Sequence, residues 1–144
     1  MSYSIREATE RDAAELLALT QELAAFEKMV CVATADQFRR ALSGPVSLVH
    51  ASLIETEDVV AGYALWLPTF STFLGRSGIW LEDLYVRPTY RRRGLGRALL
   101  THLRTRTDGR VEWDVLEWNA RAISLYEHLG ARPVPGWTRY RWLP

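Results

Sequence analysis

Cysteine is nearly absent: Cys31 is the only one in 144 residues. No internal disulfide can form, and no cysteine cluster exists to hold a metal. His50, His102 and His128 are scattered without ligand spacing, so no metal is expected. Charge of one sign is also missing. Eighteen Lys+Arg against seventeen Asp+Glu leave a formal charge of +1, which argues against nucleic acid as the default partner. No apolar run approaches the roughly 20 residues of a membrane span, so no membrane partner is expected. Residues 1–12 turn charged at once and hold no run suited to a signal peptide. These absences predict a reduced, cytoplasmic, soluble protein. With no repeat, linker or low-complexity stretch, residues 1–144 read as a single domain.

Large aromatics are present in force, with six Trp and six Tyr, so a sizeable core is within reach without staples. Tyr3 and Ile5 open a short strand, and Thr9 with Asp12 has the look of a helix-starting cap. Ala13, Leu16, Leu17, Thr20, Leu23 and Ala24 then recur at three- and four-residue steps, predicting an amphipathic helix to about Glu27. Thr34 and Gln37 have capping-box spacing before a second helix, which Gly44-Pro45 stops. Strands are expected over 47–54 and 59–67, joined by the polar turn 55–58, with a loop over 68–78. A strand over 79–86 carries Glu82 and Asp83 within an apolar run, and a helix with Leu95, Ala98, Leu99, His102 and Leu103 on one face follows. Residues 111–116 read as a strand, Asn119 caps a helix to Leu129 closed by Gly130, and 137–142 reads as a last strand. The mixture makes the fold class α/β or α+β.

The most informative segment joins the strand 81–86 to a helix through Arg91-Arg92-Arg93-Gly94-Leu95-Gly96-Arg97. Such a turn exposes backbone N–H groups at a positive helix N-terminus, where phosphate oxygens bind well. Glycine lets the backbone approach a ligand closely, and the arginines bring charge of the right sign. The pattern is neither a Walker loop nor a dinucleotide-binding fingerprint. A glycine turn with a solvated arginine cluster has the same residues.

This turn resembles the acyl-CoA pyrophosphate loop of the GCN5-related N-acetyltransferase (GNAT) superfamily. Glu117-Trp118-Asn119, Ala122 to Tyr126 and Leu129-Gly130-Ala131 resemble the last strand–helix unit of that superfamily. Residues 5–9 and 22–27 are similar to its amino-terminal part, so the likeness spans almost the whole chain. Leu81-Glu82-Asp83, Glu117-Trp118-Asn119 and Gly136-Trp137 point to the diamine (spermidine/spermine) and thialysine N-acetyltransferase group. One departure is Arg92, where many family loops carry glycine. The resemblance implies a GNAT fold, with a central mixed, mostly antiparallel sheet flanked by helices. It also implies acetyl-CoA as co-substrate and a primary amine as acceptor. Family members often dimerise, so a homodimer is implied, with the tail from Trp137 to Trp142 available for an interface.

The chemistry such an enzyme must perform can be weighed against the residues. An alkyl amine with a pKa near 10.4 is neutral in only about one molecule in a few thousand at pH 7, a selection costing about 4–5 kcal/mol. A site must bind the cation, accept its proton and hold the amine against the thioester. The resemblance implies Glu82 as base, working through a water, with Glu82 or Asp83 contacting the substrate. In a regular strand these two carboxylates point to opposite faces, and a local bulge changes that. Tyr126 matches the family tyrosine that protonates the leaving thiolate, although its stripe with Ala122, Leu125 and Leu129 also suits a core aromatic. Asn119 is expected to contact the cofactor while capping its helix. Leu84, Tyr85 and Val86 are expected to pair with the pantetheine arm as an added strand does, which needs a splayed sheet. Glu27 and Trp137 are carried over as substrate-site residues, since a carboxylate and an aromatic face both attract ammonium. Other amine acceptors, such as a protein N-terminus or an aminoglycoside, keep the same cofactor. A non-catalytic acyl-CoA-binding module keeps only the binding.

Overall fold

The computed structural model describes residues 2–144. The chain divides into two compact units, one running to Asp114 and the other covering Val115–Pro144.

The first unit is a five-stranded sheet with strands in chain order: β1 (Ser4–Glu7), β2 (His50–Thr56), β3 (Val59–Ser71), β4 (Arg76–Val86) and β5 (Val111–Glu112). The first four pair antiparallel and β5 joins β4 in parallel, the mixed, mostly antiparallel sheet that the sequence reading expected. Helix α1 (Ala13–Phe26) buries Ala13, Leu16, Leu19 and Leu23, a stripe at helical spacing. These leucines pack with Leu53, Tyr63, Leu65 and Tyr85 on one sheet face. The alternate residues Ser52, Ile54, Ala64 and Trp66 are buried as well, on the opposite face. There lies α3 (Leu95–Arg104), burying Leu95, Leu99, Leu100 and Leu103. The guanidinium of Arg106, just past α3, lies 5.5 Å from the Trp66 ring.

Local chemistry sets the boundaries. Thr9 and Asp12 form a reciprocal capping box on the short turn before α1, and Thr34 and Gln37 form another on α2 (Ala35–Leu42). Glu57 and Asp58 take φ of 55° and 61° between β2 and β3, the mirror-image turn that matches strand twist. The expected loop over 68–78 is mostly strand: β3 runs on to Ser71 and β4 starts at Arg76. Pro68 is tolerated because β2 stops pairing at His50↔Trp66, so β3 has a free edge beyond that point.

The expected strand 111–116 is cut to two residues. Its pairing with β4 ends at Trp80↔Glu112, because a register shift between Leu65 and Trp66 bulges β4 at Glu82. A bulge bends its strand, and β4 leaves its neighbour there. Among the described residues, 82–86 have β3 on one side and no strand pairing on the other, the open edge that an added strand needs.

In the second unit, Asn119 Oδ1 accepts from the Ala122 amide at 3.2 Å and starts α4 (Ala120–His128). Gly130, at φ 98°, closes the helix. The expected strand over 137–142 does not form: these residues pair with no strand. Trp137, Tyr140 and Trp142 are 81%, 92% and 99% exposed, so these aromatics do not bury as strand residues.

Candidate active site

The bulge at Glu82 organises the acidic side of the site. Leu65 and Trp66 point to opposite faces, and so do their partners Asp83 and Leu81, although these are two residues apart. Leu81 shares the α3 face with Trp66, which leaves Glu82 and Asp83 together on the α1 face. Two observations agree with that placement. Trp80 Nε1 donates to Glu82 Oε1 at 3.0 Å, as same-face residues do, and the Tyr63 hydroxyl of the α1-side core donates to Asp83 Oδ2 at 3.1 Å. The expectation of opposite faces holds only for a regular strand; the bulge replaces it with a carboxylate pair.

Burial lifts the Asp83 carboxyl from its ordinary 3.8 to about 6; the Tyr63 hydrogen bond opposes the lift, and the charges of Glu82 and Glu27 add to it. Glu27, half-buried at the C-terminal cap of α1, also has a raised pKa, because burial disfavours its charged form. Among the described residues, none of Glu27, Glu82 and Asp83 is ion-paired with a lysine or arginine. Three carboxylates in one electrostatic neighbourhood, none neutralised, attract a cation.

Tyr63 was not among the residues singled out in the sequence. It is fully buried, and its hydroxyl lies 2.9 Å from Thr20 Oγ1 of α1 as well as against Asp83. The available signal was a phenol in the otherwise apolar run Ala61–Leu67, since a buried hydroxyl needs a partner.

The phosphate-type turn follows β4 at the same end. Gly94 takes φ 76° immediately before α3. The first intrahelical bond runs from the Ala98 amide to the Gly94 carbonyl, so Leu95, Gly96 and Arg97 have amides with no helical acceptor. Their dipoles suit an anion. The arginines divide into separate roles. Arg92 and Arg97 are exposed, and Arg97 borders an open pocket of about 390 Å³ with Tyr3 and His102. Arg93 lies 3.6 Å from Glu57 and over the Tyr90 ring. Arg91 turns back: its Nε donates to the Val86 carbonyl at 2.8 Å, and its guanidinium lies between the rings of Phe26 and Tyr85 at 5.1 and 5.5 Å. It therefore ties the turn to β4 and to the end of α1. Arg92 carries more than a change of charge, because its φ is 63°, a left-handed conformation costly for a side chain with Cβ.

Leu84 and Val86 are half-buried on the open stretch of β4, and Tyr85 is buried under α1 with its hydroxyl toward Glu22. Next to them, Arg87 holds Glu22 and Glu15 at 3.0 and 2.9 Å and also donates to the Val60 carbonyl, fastening α1 to the sheet. In the second unit, Tyr126 is half-buried on α4, Asn119 caps that helix, and Trp137 lies in the exposed tail.

A family model described as Acetyltransferase (GNAT) family matches residues 11–131. The chain belongs to this family. GNAT enzymes transfer acetyl groups from acetyl-CoA, and the chain is such an acyltransferase. It is 34% identical over 149 residues to thialysine N-epsilon-acetyltransferase of Caenorhabditis elegans, covering 97% of this chain and 91% of that protein. The mouse protein of the same name is 32% identical, with 97% and 92% coverage. L-ornithine N5-acetyltransferase NATA1 of Arabidopsis thaliana is 42% identical over 83 residues, which cover 55% of this chain and 36% of that protein. Among solved structures, an integron cassette protein from the mobile metagenome of V. cholerae superposes with a TM-score of 0.81 at 24% identity, covering 100% and 94%. That likeness supports the GNAT fold. No helix among the described residues is long and apolar enough to cross a membrane.

Proposed function

We propose that this GNAT enzyme acetylates the primary amine of a small polyamine, diamine or lysine-like molecule by direct attack on acetyl-CoA, within one catalytic domain. The observation carrying this reading is the carboxylate pair at the β4 bulge, with no ion pair to a lysine or arginine among the described residues. A cationic amine is the ligand that such a group attracts, and relatives along the whole chain are named for acetylating thialysine.

In this reading the acceptor ammonium is drawn in by Glu27, Glu82 and Asp83, with Trp137 offering an aromatic face. Glu82, held by Trp80, takes the proton through a water. The neutral nitrogen then attacks the thioester carbonyl carbon, the C–S bond breaks, Tyr126 gives its proton to the departing thiolate, and the N–H proton that the nitrogen sheds on becoming an amide returns to the Tyr126 phenolate through solvent. Backbone groups of Leu84, Tyr85 and Val86 pair with pantetheine, as an added strand pairs with a free edge. Amides of the Gly94–Arg97 turn, with Arg92, Arg93 and Arg97, hold the pyrophosphate, while Arg91 braces the turn and Asn119 touches the cofactor. The exposed aromatic tail serves a cytoplasmic homodimer.

Thiol release from acetyl-CoA, measured across an amine panel, tests the reading. Thialysine, diamines and polyamines are expected to outrun aminoglycosides and peptide N-termini. The opposite ranking overturns the acceptor assignment, and tight CoA binding without turnover on any amine favours a binding module.

A further inference from the structure

We infer that Tyr63, anchored by Thr20, is a positioning residue that fixes the Asp83 side chain and reserves its Oδ1 for the acceptor amine. The inference rests on the amine-acetylating reading above and adds to it two residues from outside the bulge. The geometry dictates the direction of the chain. Tyr63 has one hydroxyl proton, and the Asp83 carboxylate can only accept, so that proton goes to Oδ2 at 3.1 Å. The contact between Tyr63 and Thr20 at 2.9 Å must then be donated by the threonine. The result is a one-way relay of donors, from α1 through β3 to β4, ending on one carboxylate oxygen.

Two consequences follow. With one acceptor site of Oδ2 taken by the phenol, the Asp83 rotamer is set, and Oδ1 keeps both of its acceptor sites for an ammonium N–H. The relay also works against the burial that disfavours the carboxylate, because a hydrogen bond to the charged form favours it. The neighbouring charges act differently on the two partners: those near Asp83 oppose its carboxylate, and those near Tyr63 keep its proton in place. Glu82 on β4 and Glu27 at the end of α1 raise Asp83, while Cys31, in the segment after α1, and Asp83 itself raise Tyr63. Tyr63 is fully buried, and burial holds its hydroxyl well above the usual phenol range, so it stays a donor throughout the working pH range.

The test compares wild type with Tyr63→Phe, Thr20→Val and Thr20→Ser. Each is followed by the pH profile of kcat/KM for the best amine and by the 13C shift of the Asp83 carboxyl, assigned with Asp83→Asn. Tyr63→Phe keeps the ring and removes the donor, so both the acidic limb and the carboxyl titration are expected to move up by about one pH unit. Thr20→Val moves them in the same direction by less, and Thr20→Ser, which restores the hydroxyl, leaves them in place. A uniform loss of activity with unmoved limb and titration reduces Tyr63 to packing and overturns the proposal. The carboxyl titration needs no turnover: it decides the positioning role even where the amine panel refutes the acceptor assignment.

Discussion

Asp83→Asn separates what the carboxylate does for binding from what it costs the fold. In the folded chain its pKa rises from 3.8 to about 6 because burial, with Glu82 and Glu27 nearby, disfavours the charge. The folded state therefore binds this proton more tightly than the unfolded chain does. Its favourable contribution is complete below pH 3.8, declines as pH rises between 3.8 and about 6, and is gone above that range. The gap corresponds to a loss of about 3 kcal/mol at pH 8 and about 1.5 kcal/mol at pH 5. Asparagine has no charge to desolvate, and its Oδ1 can accept the Tyr63 hydroxyl as the carboxylate does. Urea unfolding of wild type and variant is expected to show the variant more stable by about 3 kcal/mol at pH 8, with the advantage roughly halved at pH 5. Acetylation is expected to fall in the same variant, because the anchor for the ammonium is lost. A stability difference independent of pH, or a variant no more stable than wild type at pH 8, refutes the reasoning.

Arg92→Gly relieves a left-handed residue next to the phosphate-type turn. Net of the added freedom of the unfolded chain, it is expected to stabilise by about 0.5–1 kcal/mol, raising Tm by about 2–4 °C in calorimetry. A lower Tm contradicts the assigned strain. Arg87→Met removes the group holding Glu15, Glu22 and the Val60 carbonyl and leaves two like charges facing each other. Because these carboxylates are partly solvated, the expected loss is about 1–3 kcal/mol in urea titration, reduced at high salt, which screens the pairs. A loss that does not lessen at high salt contradicts the electrostatic account.

Features decided within a few residues were legible in the sequence. Thr9 with Asp12 and Thr34 with Gln37 form the reciprocal caps that their spacing announced; the α1 stripe buries Ala13, Leu16 and Leu23 as expected, but also Leu19, which the expected stripe left out, while Leu17 is only half-buried. The Gly94 turn opens α3 as expected. Features decided by pairing were harder to read. The bulge that brings Glu82 and Asp83 to one face is a register relation with β3, and no pattern within 79–86 carries it. The same bulge ends β5 after two residues, so the apolar run beyond Glu112 misled. Trp137, Tyr140 and Trp142 give the tail a strand-like aromatic content, yet a strand exists only with a partner, and this segment pairs with none. Tyr63 was hidden for a similar reason: its meaning lies in Thr20, 43 residues earlier, and Asp83, 20 residues later.

The most direct measurement is steady-state thiol release from saturating acetyl-CoA with the best amine of the panel, comparing wild type, Glu82→Gln and Tyr126→Phe. The account predicts a fall in kcat of about 100-fold or more for each variant, in line with loss of general acid–base catalysis, with CoA affinity retained. Wild-type kcat in both variants, or a loss confined to CoA binding, contradicts the assignment of proton transfer to these two residues.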